Sequence, residues 1–191
     1  MTTTSMRILA LDLATTTGWA VLGGGVVTSG SQNFTRHTGN KSRAPDHDGA
    51  SYAMFHRWLV NKLHEDKPDV VAYEESAGHF KSVHASRICF GFRGVMLSVL
   101  AAHHIHPCGY AATSVKKHWT GNGRADKDQM IAELFKRMPG LDLSDANECD
   151  AIALLDLHTS KSKNPQQVIP AAGLRPHSWT STLHDVSCVV A

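Results

Sequence analysis

The sequence predicts an α/β fold with a mixed five-stranded sheet flanked by helices. Two short apolar segments at 8–11 and 19–22 are joined by a turn, and a third strand is predicted to return over 26–34 after a glycine turn; this order is typical of an antiparallel meander. After them, apolar segments of strand length at 70–73 and 105–110 alternate with segments of helical periodicity. Strands that alternate with helices usually pair in parallel, so the predicted sheet begins antiparallel and ends parallel.

Turn residues set the bounds of the three N-terminal strands. The first strand ends at Asp12, and a polar turn over 15–18 contains Gly18. A second turn at 23–25 consists of three glycines, and the third strand follows it. The polar segment 36–48 is predicted to be a loop because it contains Gly39 and Pro45 and has no apolar period.

Apolar periodicity predicts helices over 49–65, 84–103 and 126–138, and a last helix capped by Ser144 or Asp145. Thr113 is predicted to cap a short helix that runs through Trp119. The interior glycines of the 84–103 helix suggest close approach by another helix or by nucleic acid. We expect one domain over 1–158 and a loosely attached tail over 159–191, where Pro, Gly and Ser interrupt any period.

Composition limits the class of protein. The 191 residues, of which 42% are hydrophobic, suffice for one domain with a sizeable core. No run of about 18 apolar residues and no signal peptide is evident, so a cytoplasmic protein without a membrane partner is expected. The four cysteines form no CxxC pair, which argues against a zinc ribbon. We expect them to be reduced and three of them to be buried.

Basic residues are concentrated in one part of the chain. The net charge is only +2, but segment 79–127 holds seven Lys and Arg residues against the single acid Asp126. Such a local basic face suits a polyanionic partner, although a simple solvated face is the alternative.

Three carboxylates lie in apolar segments, where burying a charge is costly unless the charge is paired or binds a metal. Asp12 and Glu74 end apolar strands, and Asp150 lies in an otherwise apolar helix with Asn147 three residues earlier on the same face. If the fold brings them together, they form a site for hard divalent cations. The histidines of 103–106 suggest a second metal site with Cys108 as third ligand, but a cluster at a strand edge is the preferred interpretation.

At this point the chain resembles the RuvC family of Holliday-junction resolvases, within the ribonuclease H-like superfamily. The resemblance covers residues 7 to about 158 and depends on the order and spacing of four motifs. ILALD at 8–12 is similar to the first strand with its catalytic Asp, and PDVVAYE at 68–74 to the fourth strand with its catalytic Glu. TSVKK at 113–117, followed by Gly121, Gly123 and Lys127, resembles the segment with two functional lysines. NECDAIA at 147–153 resembles the last helix with two metal-site positions.

The resemblance implies a metal-dependent endonuclease that cuts phosphodiester bonds at four-way DNA junctions in recombination and repair. It implies two Mg²⁺ ions, with Mn²⁺ as a substitute, held by Asp12, Glu74, Asn147 and Asp150. Asp12 would bridge the two ions, and Lys116 would act in catalysis by balancing charge on the scissile phosphate.

The resemblance also implies how DNA is held. Phe80 would stack on an unpaired base at the junction centre, and its alternative is a Phe tucked under its own loop. A C₂ homodimer is expected because a symmetric junction needs two matched cuts. The remaining residues expected to contact DNA are Lys81, Arg87, Arg93, Lys117, Arg124 and Lys127.

One position departs from the family pattern. Members commonly carry Asp or His where Asn147 stands, and an amide oxygen can coordinate a cation but adds no charge. Asp145, Glu148 or Glu75 could compensate, although helical spacing argues against Glu148 and strand alternation against Glu75.

Two alternatives stay open: a branched-DNA binding protein with weak or no catalysis, and a related nuclease that acts on other branched DNA or on RNA. The first motif also resembles that of an actin-like ATPase, but the chain is too short for the two domains that such an ATPase needs. Whether the protein is nucleoid-associated or phage-encoded is also left open.

Overall fold

The computed structural model describes residues 6–35, 45–75 and 83–162. Its five strands form one mixed sheet with the order β3-β2-β1-β4-β5. The strands are β1 (Ile8–Asp12), β2 (Thr16–Gly23), β3 (Val26–Asn33), β4 (Val70–Glu75) and β5 (His106–Ala111). The first three pair antiparallel, whereas β1 with β4 and β4 with β5 pair in parallel. The predicted fold class is confirmed.

Five helices flank the sheet: α1 (Pro45–Asp66), α2 (Val83–Ala102), α3 (Ala112–Thr120), α4 (Lys127–Arg137) and α5 (Ala146–Lys161). The predicted loop over 36–48 is wrong from Pro45 onward, because proline is tolerated in the first turn of a helix, where its missing N–H has no partner to lose. Residues 36–44 lie outside the described part. Helix α5 runs through Lys161, so the predicted domain boundary at 158 falls within its last turn. The tail prediction otherwise concerns residues 163–191, which the structure does not describe.

The observed N-cap residues show which of the predicted helix caps are correct. Thr113 is not an N-cap, since α3 begins one residue before it and Ala111 occupies the cap position without a side-chain hydrogen bond. Asp126 caps α4 in a reciprocal pair with Gln129. Asp145 caps α5, because its carboxylate accepts hydrogen bonds from the N–H groups of the second and third residues of the helix.

The two faces of the sheet are covered by different helices, because successive strand residues point to opposite sides. Ile8 and Ala10 of β1 face α3, α4 and α5, and we call this side the carboxylate face. Leu9 and Leu11 face α1 and α2 on the aromatic face. There Phe34, Phe55 and Phe92 pack with ring centroids 4.8–5.8 Å apart.

Helix α2 is the one helix of the described residues that is long and apolar enough, over Ala85–Ala102, to cross a membrane by length and composition. This window contains Arg87 and Arg93, so it is not an uninterrupted apolar run of the kind that the sequence analysis did not find, although its length and hydropathy are those of a span. This finding is weak support for a membrane span, because a core helix of a soluble protein passes the same test. One side of α2 packs into the aromatic face through Ile88, Phe92 and Met96.

Two expectations for cysteine and histidine fail. Among the described cysteines only Cys149 is buried, whereas Cys89 and Cys108 are partly exposed. His104 lies in the turn after α2 with a φ of 56°, so it is not on the strand that His106 begins. The two rings therefore do not share a strand face. Within 6–35, 45–75 and 83–162, no three His, Cys, Asp or Glu residues are grouped to hold a metal ion as their side chains stand.

Candidate active site

The carboxyl ends of β1 and β4 bring two of the predicted acids side by side. These strands are adjacent and parallel, with Leu11 opposite Tyr73, so the next residues, Asp12 and Glu74, sit at the same level. Both share the carboxylate face with the apolar residues two positions before them. Helix α5 packs across β1 and β2 on this face and contributes Asp150.

The three carboxylates influence one another electrostatically. Burial and the charges of Glu74 and Asp150 raise the pKa of Asp12 well above its ordinary value. Burial and the charge of Asp150 raise the pKa of Glu74 to about 7. The pKa of Asp150 is also raised, chiefly by burial. These are the shifts expected where several carboxylates share a low-dielectric site without a cation to neutralise them.

The donor set fits a hard divalent cation. Oxygen ligands from three carboxylates are what Mg²⁺ and Mn²⁺ favour, and a bound cation would relieve the mutual repulsion that raises their pKa values. As their side chains stand, no three acids within the described residues are grouped closely enough to share an ion. Metal binding therefore requires the side chains to draw together.

Two lysines face the acids. The positive charge of Lys116 lowers the pKa of Glu74 and Asp150, and that of Lys127 lowers the pKa of Asp12 and Asp150, in each case against the larger effect of burial. The Lys116 ammonium donates a hydrogen bond to the Ala125 carbonyl at 2.8 Å, which ties α3 to the loop before α4. Sequence analysis assigned Lys127 to the DNA backbone, whereas the structure places it beside the carboxylates as well.

The first turn of α5 approaches β2 unusually closely. Gly18 is the strand partner of Asp12, and a Cβ added to it would lie 1.8 Å from the carbonyl oxygen of Asn147. Only glycine fits beneath this turn. Sequence analysis noted Gly18 merely as a turn residue; the signal that could have revealed its role is that a glycine inside a strand often marks close backbone approach.

Of the three acids that could compensate for the missing charge at Asn147, Asp145 lies near the carboxylates and the other two point away. The charge of Asp145 raises the pKa values of both Asp12 and Asp150, so this N-cap residue lies near the cluster. Its carboxylate also lies 3.5 Å from the side-chain nitrogen of Asn147. Glu148 instead points toward β3, where it accepts a hydrogen bond from Ser29. Glu75 points to the aromatic face and pairs with Arg93. The arguments against Glu148 and Glu75 are confirmed by these positions.

Apart from Lys127, the residues predicted to bind DNA fall into three groups. Lys117 and Arg124 are exposed on α3 and in the loop that follows it, on the same side of the sheet as the acids. Arg87 and Arg93 are on α2, on the other side, where they form ion pairs with Asp48 at 2.6 Å and Glu75 at 3.1 Å. Phe80 and Lys81 lie outside the described residues.

Comparison with known proteins gives a consistent result. Residues 16–158 match the model of a family described as "Crossover junction endodeoxyribonuclease RuvC". A protein of that name from Paramagnetospirillum magneticum is 30% identical over 171 residues, which is 87% of this chain and 98% of the relative. Another of the same name, from Ruegeria pomeroyi, is 31% identical over 161 residues, covering 80% of this chain and 90% of the relative.

Two solved structures share the fold. T. thermophilus RuvC in complex with Holliday junction substrate superposes with a TM-score of 0.62 at 18% identity, covering 82% of this chain and 93% of that chain. The yeast mitochondrial Holliday junction resolvase Ydc2 superposes with a TM-score of 0.53 at 15% identity, over 78% of this chain and 75% of that one. The matched family model begins at residue 16, after Asp12. The inclusion of Asp12 in the candidate site therefore depends on its position beside Glu74 at the ends of β1 and β4.

Proposed function

The chain belongs to the RuvC family of crossover junction endodeoxyribonucleases, and from that premise we propose that it resolves four-way DNA junctions by metal-dependent hydrolysis. The observation that carries the proposal is the convergence of Asp12, Glu74 and Asp150 from two parallel strands and a helix, with the charges of two lysines turned toward them. An acidic cluster faced by lysines suits a metal-assisted reaction at a phosphate.

The acids would hold the cations, which we propose are two Mg²⁺ ions that Mn²⁺ can replace. When bound, such ions activate the attacking water and stabilise the leaving oxygen. Asp12 would hold the cations together with Glu74 and Asp150, since the charges of both these acids raise the pKa of Asp12. Asn147 can offer an amide oxygen, and Asp145 supplies the additional negative charge nearby.

The lysines have separate tasks in this proposal. Lys116 is held by its hydrogen bond to Ala125 and places its charge close to Glu74, where it can contact the scissile phosphate. Lys127, the first residue of α4, places its charge near Asp12, where it would contact the phosphate from the side opposite Lys116. Lys117 and Arg124, which are exposed beside them, would contact the flanking backbone.

We propose that the protein acts as a homodimer through the outer side of α2. Apart from the terminal Ala102, the exposed positions of this helix recur at helical spacing, which places them on one side: Val83, Arg87, Phe90, Gly94, Ser98 and Ala101. Val83 is 82% exposed and Phe90 51% exposed. Gly94 and Ser98 are small enough for a second copy of the helix to approach closely. We place the dimer in the cytoplasm.

The decisive experiment compares labelled four-way, three-way, duplex and single-stranded substrates, including RNA, in Mg²⁺, Mn²⁺ or EDTA. We expect cleavage of the four-way junction only with metal. Asp12→Asn should abolish cleavage and retain junction binding, because affinity comes mostly from phosphate contacts elsewhere. Binding by the wild-type protein without cleavage would favour the alternative of a binding protein with a weakened metal site, to which Asn147 points. Cleavage by folded Asp12→Asn at the wild-type rate would overturn the proposal.

A further inference from the structure

Glu148 is a buried carboxylate that the proposed reaction does not use. It is 4% exposed and lies on α5 between Asn147 and Asp150. One of its oxygens accepts a hydrogen bond from the Ser29 hydroxyl at 2.6 Å. The other accepts two, from the N–H of Ser144 at 2.8 Å and from its hydroxyl at 2.5 Å. A buried charge is tolerated when several donors satisfy it in this way.

These hydrogen bonds connect the start of α5 to the edge of the sheet that β3 forms. Ser29 belongs to edge strand β3, and Ser144 is the residue before the α5 N-cap. A second contact joins the same parts, since the hydroxyls of Ser31 and Ser144 are 3.3 Å apart. Glu148 therefore fastens the first turn of α5 to β3 from one side of the turn.

The other side of the same turn is set by the sheet itself. The carbonyl of Asn147 lies directly over Gly18, which leaves no free space between α5 and β2. Gly18 is in turn the strand partner of Asp12 and of Ser31. The position of the helix start relative to Asp12 is thus fixed by close packing over Gly18 and by the Glu148 hydrogen bonds at β3.

We propose that Glu148 is a positioning residue for the metal site, which holds the first turn of α5 so that Asn147 and Asp150 are presented to Asp12 at the correct distance. This inference depends on the proposed function, because it assigns Glu148 an effect on metal affinity. Glu148 itself is not a ligand, since both of its oxygens are engaged by Ser29 and Ser144. Second-layer partners of metal ligands typically contribute about 10- to 100-fold to metal affinity or activity.

The test compares Glu148→Ala with Glu148→Gln, and uses Asp156→Asn as a matched control. Asp156 lies further along α5 and is hydrogen-bonded to His118 and Arg137, so its loss costs comparable polar contacts far from the site. The first readout is the Mg²⁺ concentration that raises the melting temperature of the DNA-free protein, which reports binding to the folded state without catalysis. The second is the Mg²⁺ concentration for half-maximal junction cleavage.

For Glu148→Ala we expect both concentrations to rise by about 10-fold or more. Glu148→Gln should stay within a few-fold of wild type, because its amide can accept from the Ser144 N–H and donate to Ser29. Asp156→Asn should lower the melting temperature in EDTA without moving either concentration. If Glu148→Ala does not fold, Ser29→Ala removes one hydrogen bond and should raise both concentrations by a smaller factor.

Three results would overturn the inference. One is unchanged Mg²⁺ concentrations in folded Glu148→Ala, or in Ser29→Ala where the former does not fold. Another is a Gln variant that behaves like the Ala variant, which would mean that the charge of Glu148 matters and its position does not. The last is a shift as large in Asp156→Asn. Failure of the proposed function is distinguished because the wild-type protein would then not cleave the junction at any Mg²⁺ concentration.

Discussion

The three acids of the proposed site and the acids around Glu75 on the aromatic face differ in whether they form ion pairs, although further from the site the carboxylate face also holds paired acids such as Asp156 with Arg137. On the aromatic face, Glu75 forms an ion pair with Arg93, and Asp48 with Arg87. On the carboxylate face, Asp12, Glu74 and Asp150 have no ion pair within 6–35, 45–75 and 83–162, and burial and mutual repulsion raise their pKa values. Glu74 and Glu75 are neighbours in β4, so the contrast between these two residues arises from strand alternation.

The contrast indicates which acids serve stability and which serve function. Ion-paired acids at the surface contribute little net stability, whereas buried acids that repel one another reduce stability until a cation binds. We therefore expect that such a cluster is retained for function, here the proposed metal binding. The predictions below test this distinction, from the largest expected effect to the smallest.

The largest effect should separate Glu74 from Glu75. We expect Glu74→Gln to reduce junction cleavage by at least about 100-fold, because it removes a proposed metal ligand. Glu75→Gln should stay within a few-fold of wild type, since it removes a partly exposed ion pair and its amide oxygen can still accept the hydrogen bond from the Tyr73 hydroxyl. Rates measured under single-turnover conditions at saturating Mg²⁺ provide the comparison. Equal losses in the two variants would mean that both faces take part in catalysis.

The second test uses glycines, one at each face. Gly18→Ala would place a methyl group 1.8 Å from the backbone oxygen of Asn147, so α5 must shift, at a cost of about 1–3 kcal/mol in the free energy of unfolding and with loss of cleavage. Gly91→Ala would meet the ring of Tyr52 at 2.2 Å, but a side chain can turn aside and Ala favours the helix.

For Gly91→Ala we therefore expect a change of less than about 1 kcal/mol in unfolding free energy and normal cleavage. Urea denaturation followed by circular dichroism measures the first quantity for both variants. Normal cleavage by Gly18→Ala would show that the α5 turn need not lie against β2.

The sequence predicted the fold well, because its patterns are local. Apolar alternation, three glycines in a turn and strand-ending acids such as Asp12 identified the five strands. Strand alternation also predicted correctly that Glu75 turns away from Glu74. What the sequence could not show depends on contacts between distant segments. The hydrogen bond from Ser29 to Glu148 joins residues 119 positions apart, and no local pattern encodes it.

The third test concerns pH in the absence of metal. The folded-state pKa of Glu74 is raised from 4.5 to about 7, so folding favours its protonated form. Its favourable contribution is complete below the unfolded-state value and is lost as pH rises to about 7. Asp12 and Asp150 are shifted in the same direction.

In EDTA we therefore expect the unfolding free energy of wild type, relative to Glu74→Gln, to fall by about 2 kcal/mol between pH 5 and pH 8. Denaturant titrations of both proteins across this range measure the difference. Saturating Mg²⁺ should reduce it, because a bound cation neutralises the cluster. A difference that rises with pH would contradict the proposed environment of Glu74.

The fourth test compares basic residues. Lys117→Ala and Arg124→Ala should weaken binding to all DNA and each reduce the log–log salt slope by roughly 0.9, as expected for a lost phosphate contact. Arg93→Ala removes a residue that already pairs with Glu75, so a smaller change in slope is expected. Fluorescence anisotropy with a catalytically inactive Asp12→Asn background gives these slopes. A larger change for Arg93→Ala would place the DNA surface on the aromatic face.

The smallest effect concerns the residue that departs from the family pattern. Asn147→Asp adds a carboxylate beside the metal site, which should lower the metal concentration for half-maximal cleavage by a few-fold and narrow the advantage of Mn²⁺ over Mg²⁺. The opposing effect is repulsion, because the charge of Asp145 already raises the pKa values of Asp12 and Asp150. Without metal the variant should thus be less stable than wild type above neutral pH.

With metal we expect attraction to exceed repulsion, since each bound cation carries two positive charges. Asn147→Ala is the matched control: it removes the amide oxygen without adding charge, so its half-saturating concentration should rise while that of Asn147→Asp falls. Metal titrations of the cleavage rate with the three proteins distinguish the outcomes. If neither substitution moves the half-saturation point, Asn147 is not beside the metal. Asp145, which caps α5 and lies near Asp12 and Asp150, would then be the acid to test next.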